Sequence, residues 1–322
     1  MEIRFQDDYN YEIRNLPDMS DRGLIQKKRY GYVTTFILQY ITKKLTDKGF
    51  QWLLPVILSK STDPLWPDPG ASIEKRIQTE IYGEPVSLTS SMIIHKMISS
   101  SLLYTKFFIL SPNVRIERRE RKATKWHSYE FTQLDFEIRN ATFDDVRSLT
   151  EELIHNSISQ LRKVSEEKVG FRWLELPEVS VPFDVYDRLE LIKRFGNDWE
   201  TKLLKVITNP VWVRNIPREF YDFEDITSGV WDNYDLYVPK YGEILSGARR
   251  EYEYSKILYK MERDGVKKEN YKLLLSLARQ GRLKRSAGAG IGIERLVTWI
   301  TGAESISDVQ PFPKVPGIVL DL

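Results

Sequence analysis

The sequence predicts an α+β fold in which an antiparallel sheet is flanked by helices. Three observations predict it. Short strand-like segments are separated by long helical ones without strict βαβα alternation, which argues against a doubly wound parallel sheet. Residues 129–138 alternate: Thr132, Leu134, Phe136 and Ile138 share one face, and Phe131, Gln133, Asp135 and Glu137 share the other. Near the end, Gly288, Gly290 and Gly292 fall at every second residue, the spacing of a strand face without side chains.

The elements follow in order. The opening residues are polar and read as a short arm. A helix is predicted from about Tyr32 to Lys48, because Val33, Phe36, Ile37, Tyr40, Ile41 and Leu45 keep the helical period. Gly49 stops it. Residues 50–54 form a short strand closed by Pro55. The Pro-rich stretch 59–75 reads as a loop, either a lid over a site or plain surface. A helix spans Ser90–Ser101, strands span Lys106–Leu110 and Asn113–Glu117, and Arg118–Lys122 forms a charged hairpin loop before the alternating strand. Thr142 with Asp145 resembles a capping box, opening a helix that ends near Glu167. After a mixed region come strands at Val211–Arg214, Asp235–Val238 and Glu243–Leu245, then helices at about Arg250–Arg263 and Lys268–Gln280. The glycine strand leads into a last helix, Ile293–Thr301.

Composition narrows the chemistry. The 322 residues contain no cysteine, which excludes disulfides, thiolate nucleophiles and sulfur-ligated zinc. His95, His127 and His155 are the whole histidine supply. A net charge of +2, with acids and bases mixed, demands neither a nucleic acid nor a membrane. No apolar run approaches the ~20 residues of a membrane span, and the start lacks a signal-peptide core. The cytoplasm is the expected location.

Three segments carry candidate chemistry. In the glycine run, a bare strand face lets a flat or phosphorylated ligand approach the backbone, with Arg295 opening a helix beside it; close helix–strand packing explains the same glycines equally well. A P-loop is excluded for want of Gly-Lys-Ser/Thr, and a Rossmann unit for want of chain after Gly292. In the second segment, Val114-Arg115-Ile116-Glu117 and Trp126–Glu137 flank the basic loop, which either grips polyphosphate or is a solvated hairpin. In the third, Asp235 and Glu243 with Ser246 suit magnesium carried by substrate phosphates, or are simply surface acids.

Together and in this order, these segments resemble the class II aminoacyl-tRNA synthetases, in their aspartyl/asparaginyl branch. The segment around Pro55 looks like the dimer-interface signature, Arg115 to Glu137 like the second, and Gly288 to Arg295 like the third. Gly242–Glu251 and Asp308–Pro313 resemble branch-specific sequences. The resemblance implies ATP and Mg²⁺ as substrate and ion, and a homodimer. It implies that Arg115 and Arg295 are catalytic and hold ATP, with Phe131 stacking on adenine and Glu117, His127, Gly290 and Gly292 completing the nucleotide site. It places Lys96, Arg250 and Gln133 at the amino acid, and Asp235, Glu243 and Ser246 at magnesium. Two cations, Lys96 and Arg250, aimed at one side chain favour aspartate over asparagine.

The chain departs from the branch pattern at Ser90–His95, at Trp126 and at Leu283–Ala287. About 30 residues precede the first predicted helix, too few for the five-stranded anticodon-binding barrel. The expected organisation is therefore a single catalytic domain over 1–322 with a short N-terminal arm. Ser90-Ser91-Met92, Asn215–Asp222 and Ser286–Gly292 resemble the archaeal asparagine synthetases related to asparaginyl-tRNA synthetase. That resemblance implies conversion of aspartate to asparagine through β-aspartyl-adenylate and ammonia, without tRNA. The alternatives are an adenylate passed to tRNA or another acceptor, and a non-catalytic binder of amino acid or nucleotide.

Overall fold

The computed structural model describes residues 21–64, 73–167 and 174–320. The predicted N-terminal arm lies outside the described residues, as does the middle of the predicted 59–75 loop.

Helix α1 (Asp21–Asp47) starts well before the predicted Tyr32. Its first turns are polar and contain two glycines, so the helical period is hidden there. Tertiary contact holds them: Tyr30 is buried, and Lys27 donates to the carbonyls of Ser307 and Gln310 at 3.1 and 3.0 Å. Strand β1 (Gln51–Leu53) follows. Then come β2 (Leu58–Ser59), β3 (Ile73–Lys75), β4 (Gln78–Ile81) and β5 (Glu84–Leu88). The predicted loop thus begins and ends in short strands.

Helix α2 (Ile93–Leu102) begins after Met92, not at Ser90. Strand β6 runs unbroken from Lys106 to Val114, through Pro112, where two strands were predicted. Its partner β1 reaches only Phe107–Ile109, so at Pro112 one side of β6 is an open edge, where a missing N–H costs nothing. After β7 (Ile116–Glu117), the charged stretch is not a hairpin loop but a 3-10 helix, Arg119–Thr124. Strand β8 (Glu130–Arg139) and helix α3 (Phe143–Glu167) follow. The Thr142 amide and hydroxyl both donate to Asp145 at 2.8 Å, so the predicted cap is formed.

The mixed region contains β9 (Asp184–Asp187), α4 (Arg188–Phe195) and α5 (Trp199–Val206), each too short to show a period. Strand β10 (Val211–Arg214), the small pair β11 (Glu224–Asp225) and β12 (Val230–Trp231), then β13 (Asn233–Val238) come next. Strand β14 (Gly242–Arg249) extends past the predicted Leu245, and α6 (Tyr254–Arg263) starts later than the predicted Arg250. Helix α7 (Lys272–Arg279), β15 (Ser286–Gly292), α8 (Ile293–Thr301) and α9 (Ile306–Val309) complete the chain.

Among the described residues the main sheet has eight strands in the order β1-β6-β8-β15-β14-β13-β10-β9. All internal pairs are antiparallel; only the two edge pairs, β1–β6 and β9–β10, are parallel. One face carries Leu134, Phe136, Leu236, Leu245 and Ile291, packed with Ile37 and Ile41 of α1, Leu153 and Ile154 of α3, and Leu296 and Val297 of α8. Each such side chain contributes about 1.5–3 kcal/mol by burial. The helices therefore cover that face, and the opposite face of the central strands is left for polar groups.

Candidate active site

Register sets out the polar face in rows. Asp135 of β8 lies opposite Gly290 of β15, which lies opposite Ser246 of β14, which lies opposite Asp235 of β13. One step along, Glu137 pairs with Gly288; one step back, Gln133 pairs with Gly292. A bulge between Leu236 and Tyr237 shifts the register at Ile244, so Glu243 returns to the side of Ser246 despite its odd spacing.

From these rows Gln133, Asp135, Glu243, Ser246, Gly290 and Gly292 floor a cleft with two halves. Arg115, Glu117, His127, Phe131, Gly290, Gly292 and Arg295, the residues expected at ATP, all line one half. Lys96, Gln133 and Arg250, those expected at the amino acid, line the other, a cavity of about 360 Å³. Arg115, Glu117, Gln133, Glu243 and Gly290 line both.

The two arginines of the nucleotide half are braced from behind. Arg115 donates Nε to the Ser90 carbonyl at 3.1 Å, and its guanidinium lies 5.3 Å from the Phe131 ring centre. Arg295 donates to the carbonyls of Glu243 at 2.9 Å and Trp126 at 3.3 Å. Glu117 accepts from Arg121 at 2.9 Å; burial raises its carboxyl, against the pull of Arg121, Arg115 and Arg295. Of the basic stretch, Arg121 turns inward while Arg118, Arg119 and Lys122 are exposed. Burial, followed by Arg295, Arg121 and Arg115, brings the His127 imidazole down to about 3, so it faces the cleft uncharged at neutral pH. Its Nδ1 lies 2.7 Å from the Thr124 hydroxyl.

The cations at the amino-acid end are paired. Lys96 donates to Asp135 at 2.6 Å, and the Ser111 hydroxyl donates to the other Asp135 oxygen at 2.6 Å. Arg250 donates to Glu137 at 3.2 Å and to Asp222 at 2.8 Å. Lys96 and Arg250 therefore do not present bare charge to a side chain, and the preference for aspartate argued from two such cations loses that basis. The glycines divide between the two readings open at the sequence level. A Cβ at Gly288 would overlap the Phe136 carbonyl and Glu137, so packing requires that glycine. At Gly290 it would overlap the Gln133 amide at the cleft wall, whereas at Gly292 it would meet Arg295 only at an ordinary 3.7 Å.

Sequence reasoning missed a third cation. Arg218, in the loop after β10, donates to the Ser246 hydroxyl at 2.7 Å and closes on Asp235. It lies in Asn215–Asp222, a segment with no periodicity; its Pro-Arg-Glu cluster of opposite charges was the available signal.

No group of three His, Asp or Glu side chains able to hold a metal occurs among the described residues. The donors do fit magnesium brought by a polyphosphate. Asp235 Oδ1 is buried without a hydrogen-bond partner. Burial pushes Asp235 up to about 7, opposed by Arg218 and reinforced by Glu243. Two carboxylates completed by phosphate oxygens and water match what this ion takes. Ser246 is already engaged by Arg218, so Glu243, which lines both halves, and the unpartnered, buried Asp235 oxygen behind the lining are the groups that would hold it.

The pattern of the tRNA synthetases class II (D, K and N) matches residues 28–316. The chain belongs to this family. Among its class II relatives, the aspartate–tRNA(Asp/Asn) ligase of Sulfurisphaera tokodaii is 24% identical over 301 residues, covering 88% of this chain and 67% of the relative. The asparagine–tRNA ligase of Mycoplasma mobile is 23% identical over 334 residues, covering 94% and 73%. The asparaginyl-tRNA synthetase from Pyrococcus horikoshii, solved with asparaginyl-adenylate, superposes with a TM-score of 0.79 at 23% identity, over 91% of this chain and 70% of that one. The aspartyl tRNA synthetase from Entamoeba histolytica does so with a TM-score of 0.73 at 21% identity, over 99% and 64%. The class II synthetase fold is thus shared across the described chain. No helix among the described residues is long and apolar enough to cross a membrane.

Proposed function

We propose that the chain is an ATP- and magnesium-dependent, AMP-forming aspartate–ammonia ligase. Aspartate attacks the α-phosphate of ATP through its β-carboxylate and releases pyrophosphate; ammonia then displaces AMP and gives asparagine. One observation carries the reading: Arg115 lies on the wall shared by the two halves of the cleft, the position that an α-phosphate and an attacking carboxylate would share. The braces from Ser90 to Arg115 and from Glu243 and Trp126 to Arg295 hold the charges in place before substrate arrives. Such preorganisation stabilises the charge that develops on the phosphate. Glu243 and Asp235 would hold a magnesium ion, which would supply further charge neutralisation there.

The departures from the family pattern support ammonia as acceptor, because all three reach the site: in the first, Ser90 braces Arg115 and Ser91 lines the amino-acid half. Ser286 donates to Glu137 at 2.8 Å, behind Arg250. Trp126 packs 5.5 Å from both the Tyr241 ring and the Arg295 guanidinium, at the nucleotide half. A second reading, transfer of the acyl group to tRNA, is favoured by the names of the relatives and by the exposed Arg118, Arg119 and Lys122 near the cleft. A homodimer accompanies either reading. Trp52, Leu54 and Ile57, at and beyond the edge strand β1, are 55%, 88% and 54% exposed, an apolar run that a second copy would cover.

Pyrophosphate exchange with aspartate, ATP and magnesium, then product analysis with ammonium, tests the proposal. Free asparagine and AMP support the ligase. Exchange without asparagine, with acyl-tRNA formed on adding tRNA, moves the acceptor to tRNA. No exchange with any amino acid leaves a non-catalytic binder.

A further inference from the structure

The cavity contains an acid with no counter-ion. Glu219 is only 7% exposed and lines the amino-acid half. The buried cations around it are committed elsewhere: Lys96 to Asp135, Arg250 to Glu137 and Asp222, and its own neighbour Arg218 to Asp235 and Ser246. Among the described residues no side chain forms an ion pair or hydrogen bond with the Glu219 carboxylate. Asp63, which lines the same cavity, and Asp222 both add negative charge beside it. Burial and Asp63 together raise Glu219 well above the usual carboxylate range, with Arg218 opposing. A buried carboxylate in that position lacks one positive charge bearing hydrogen-bond donors, and the cavity is where such a group would enter.

We propose that Glu219 is the ammonium-recognition residue of this cavity. The inference rests on the proposed aspartate–ammonia ligase and names the group that its amino-acid half binds through this acid. Two sources offer the same chemistry: the free ammonium ion that supplies the amide nitrogen, and the α-ammonium of aspartate. In the first case Glu219 binds the ion and accepts one proton, leaving ammonia. The nitrogen lone pair forms the C–N bond, and the C–O bond of the mixed anhydride breaks with its electrons on AMP. The second proton shed by nitrogen passes to the AMP phosphate. In the second case Glu219 only holds and orients the amino acid.

Steady-state kinetics of Glu219→Gln decide the matter, with Glu219→Asp as the charge-preserving control. Loss of a charge-assisted hydrogen bond predicts a rise of roughly 10-fold or more in one Michaelis constant, partly restored in Glu219→Asp. A rise in KM for ammonium, with hydroxylamine (uncharged at neutral pH) still accepted as nucleophile, identifies the free ion. A rise in KM for aspartate in pyrophosphate exchange identifies the α-ammonium. Both constants within twofold of wild type, in a variant with unchanged melting temperature, overturn the proposal. Where Glu219→Gln does not fold, the shortened Glu219→Asp is read by the same criteria. Wild type that exchanges but makes no asparagine defeats the ammonia reading alone, and the aspartate arm still decides the role of Glu219.

Discussion

Arg250 donates to both carboxylate oxygens of Glu137, at 3.2 and 3.4 Å, and neither residue is more than 4% exposed. The pair joins the residue after β14 to the C-terminal part of β8, and Arg250 lines the amino-acid half of the cleft. Removing Arg250 leaves Glu137 and Asp222 buried without their partner. Arg250→Ala is therefore expected to cost about 3–5 kcal/mol in urea unfolding. The double variant Arg250→Met with Glu137→Gln should lose less than the sum of the two single changes.

Arg115→Ala should reduce aspartate-dependent pyrophosphate exchange by about 10² or more, the usual scale for losing a key electrostatic contact to a reacting group. Unchanged exchange would remove Arg115 from phosphate binding.

Gly288 and Gly290 should respond differently to alanine. At Gly288 the new methyl meets the Phe136 carbonyl, which belongs to backbone and cannot yield. Gly288→Ala should destabilise by about 1–3 kcal/mol. At Gly290 the new methyl meets the end of the Gln133 side chain, which can move, and Asp135 Oδ1 at 2.9 Å, on a carboxylate held by Lys96 and Ser111. Gly290→Ala should therefore cost less stability than Gly288→Ala and should raise the Michaelis constants of ATP and the amino acid, measured by exchange.

Two partly buried groups predict opposite effects of pH on stability. The His127 value of about 3 lies below its ordinary 6.5, so the unfolded chain protonates first, and stability falls as pH drops from 6.5 toward 3. Glu294, which accepts from the Thr132 amide at 2.9 Å, is raised by burial to about 7 from 4.5. The folded chain keeps that proton longer, so stability falls as pH rises from 4.5 to 7. Between pH 4.5 and 6.5, His127→Gln should make the slope of melting temperature against pH less positive, and Glu294→Gln more positive.

Chelation with EDTA should abolish exchange, and magnesium should restore it. Glu243→Gln should raise the magnesium concentration for half-maximal exchange, since it removes one of the two carboxylates that would hold the ion. A magnesium titration indistinguishable from wild type would take Glu243 out of that role.

Local periodicity made much of this legible. The two-residue repeat of β8 put Leu134 and Phe136 on one face, which is core, and Gln133, Asp135 and Glu137 on the other, where Gln133 and Asp135 line the cleft and Glu137 is buried behind Arg250; the glycine spacing located β15. Long-range pairing was not legible. Nothing in Lys96 or Arg250 indicates that Asp135 and Glu137 will neutralise them, because those acids lie far away in sequence. Arg218 and Glu219 sit in an irregular loop, where no repeat marks a residue as facing inward. The unbroken β6 depended on knowing which neighbour ends at Ile109.

The wall between the two halves of the cleft has a thermodynamic consequence. Gln133 and Gly290 line both, so a ligand in either half meets atoms that the other ligand also touches. Binding free energies at such sites are linked reciprocally: whatever factor ATP applies to the affinity for the amino acid, the amino acid applies to the affinity for ATP. On the proposed function, the two halves would then act as one receptor for a pair of ligands, and a change at Gln133 or Gly290 should alter both affinities together.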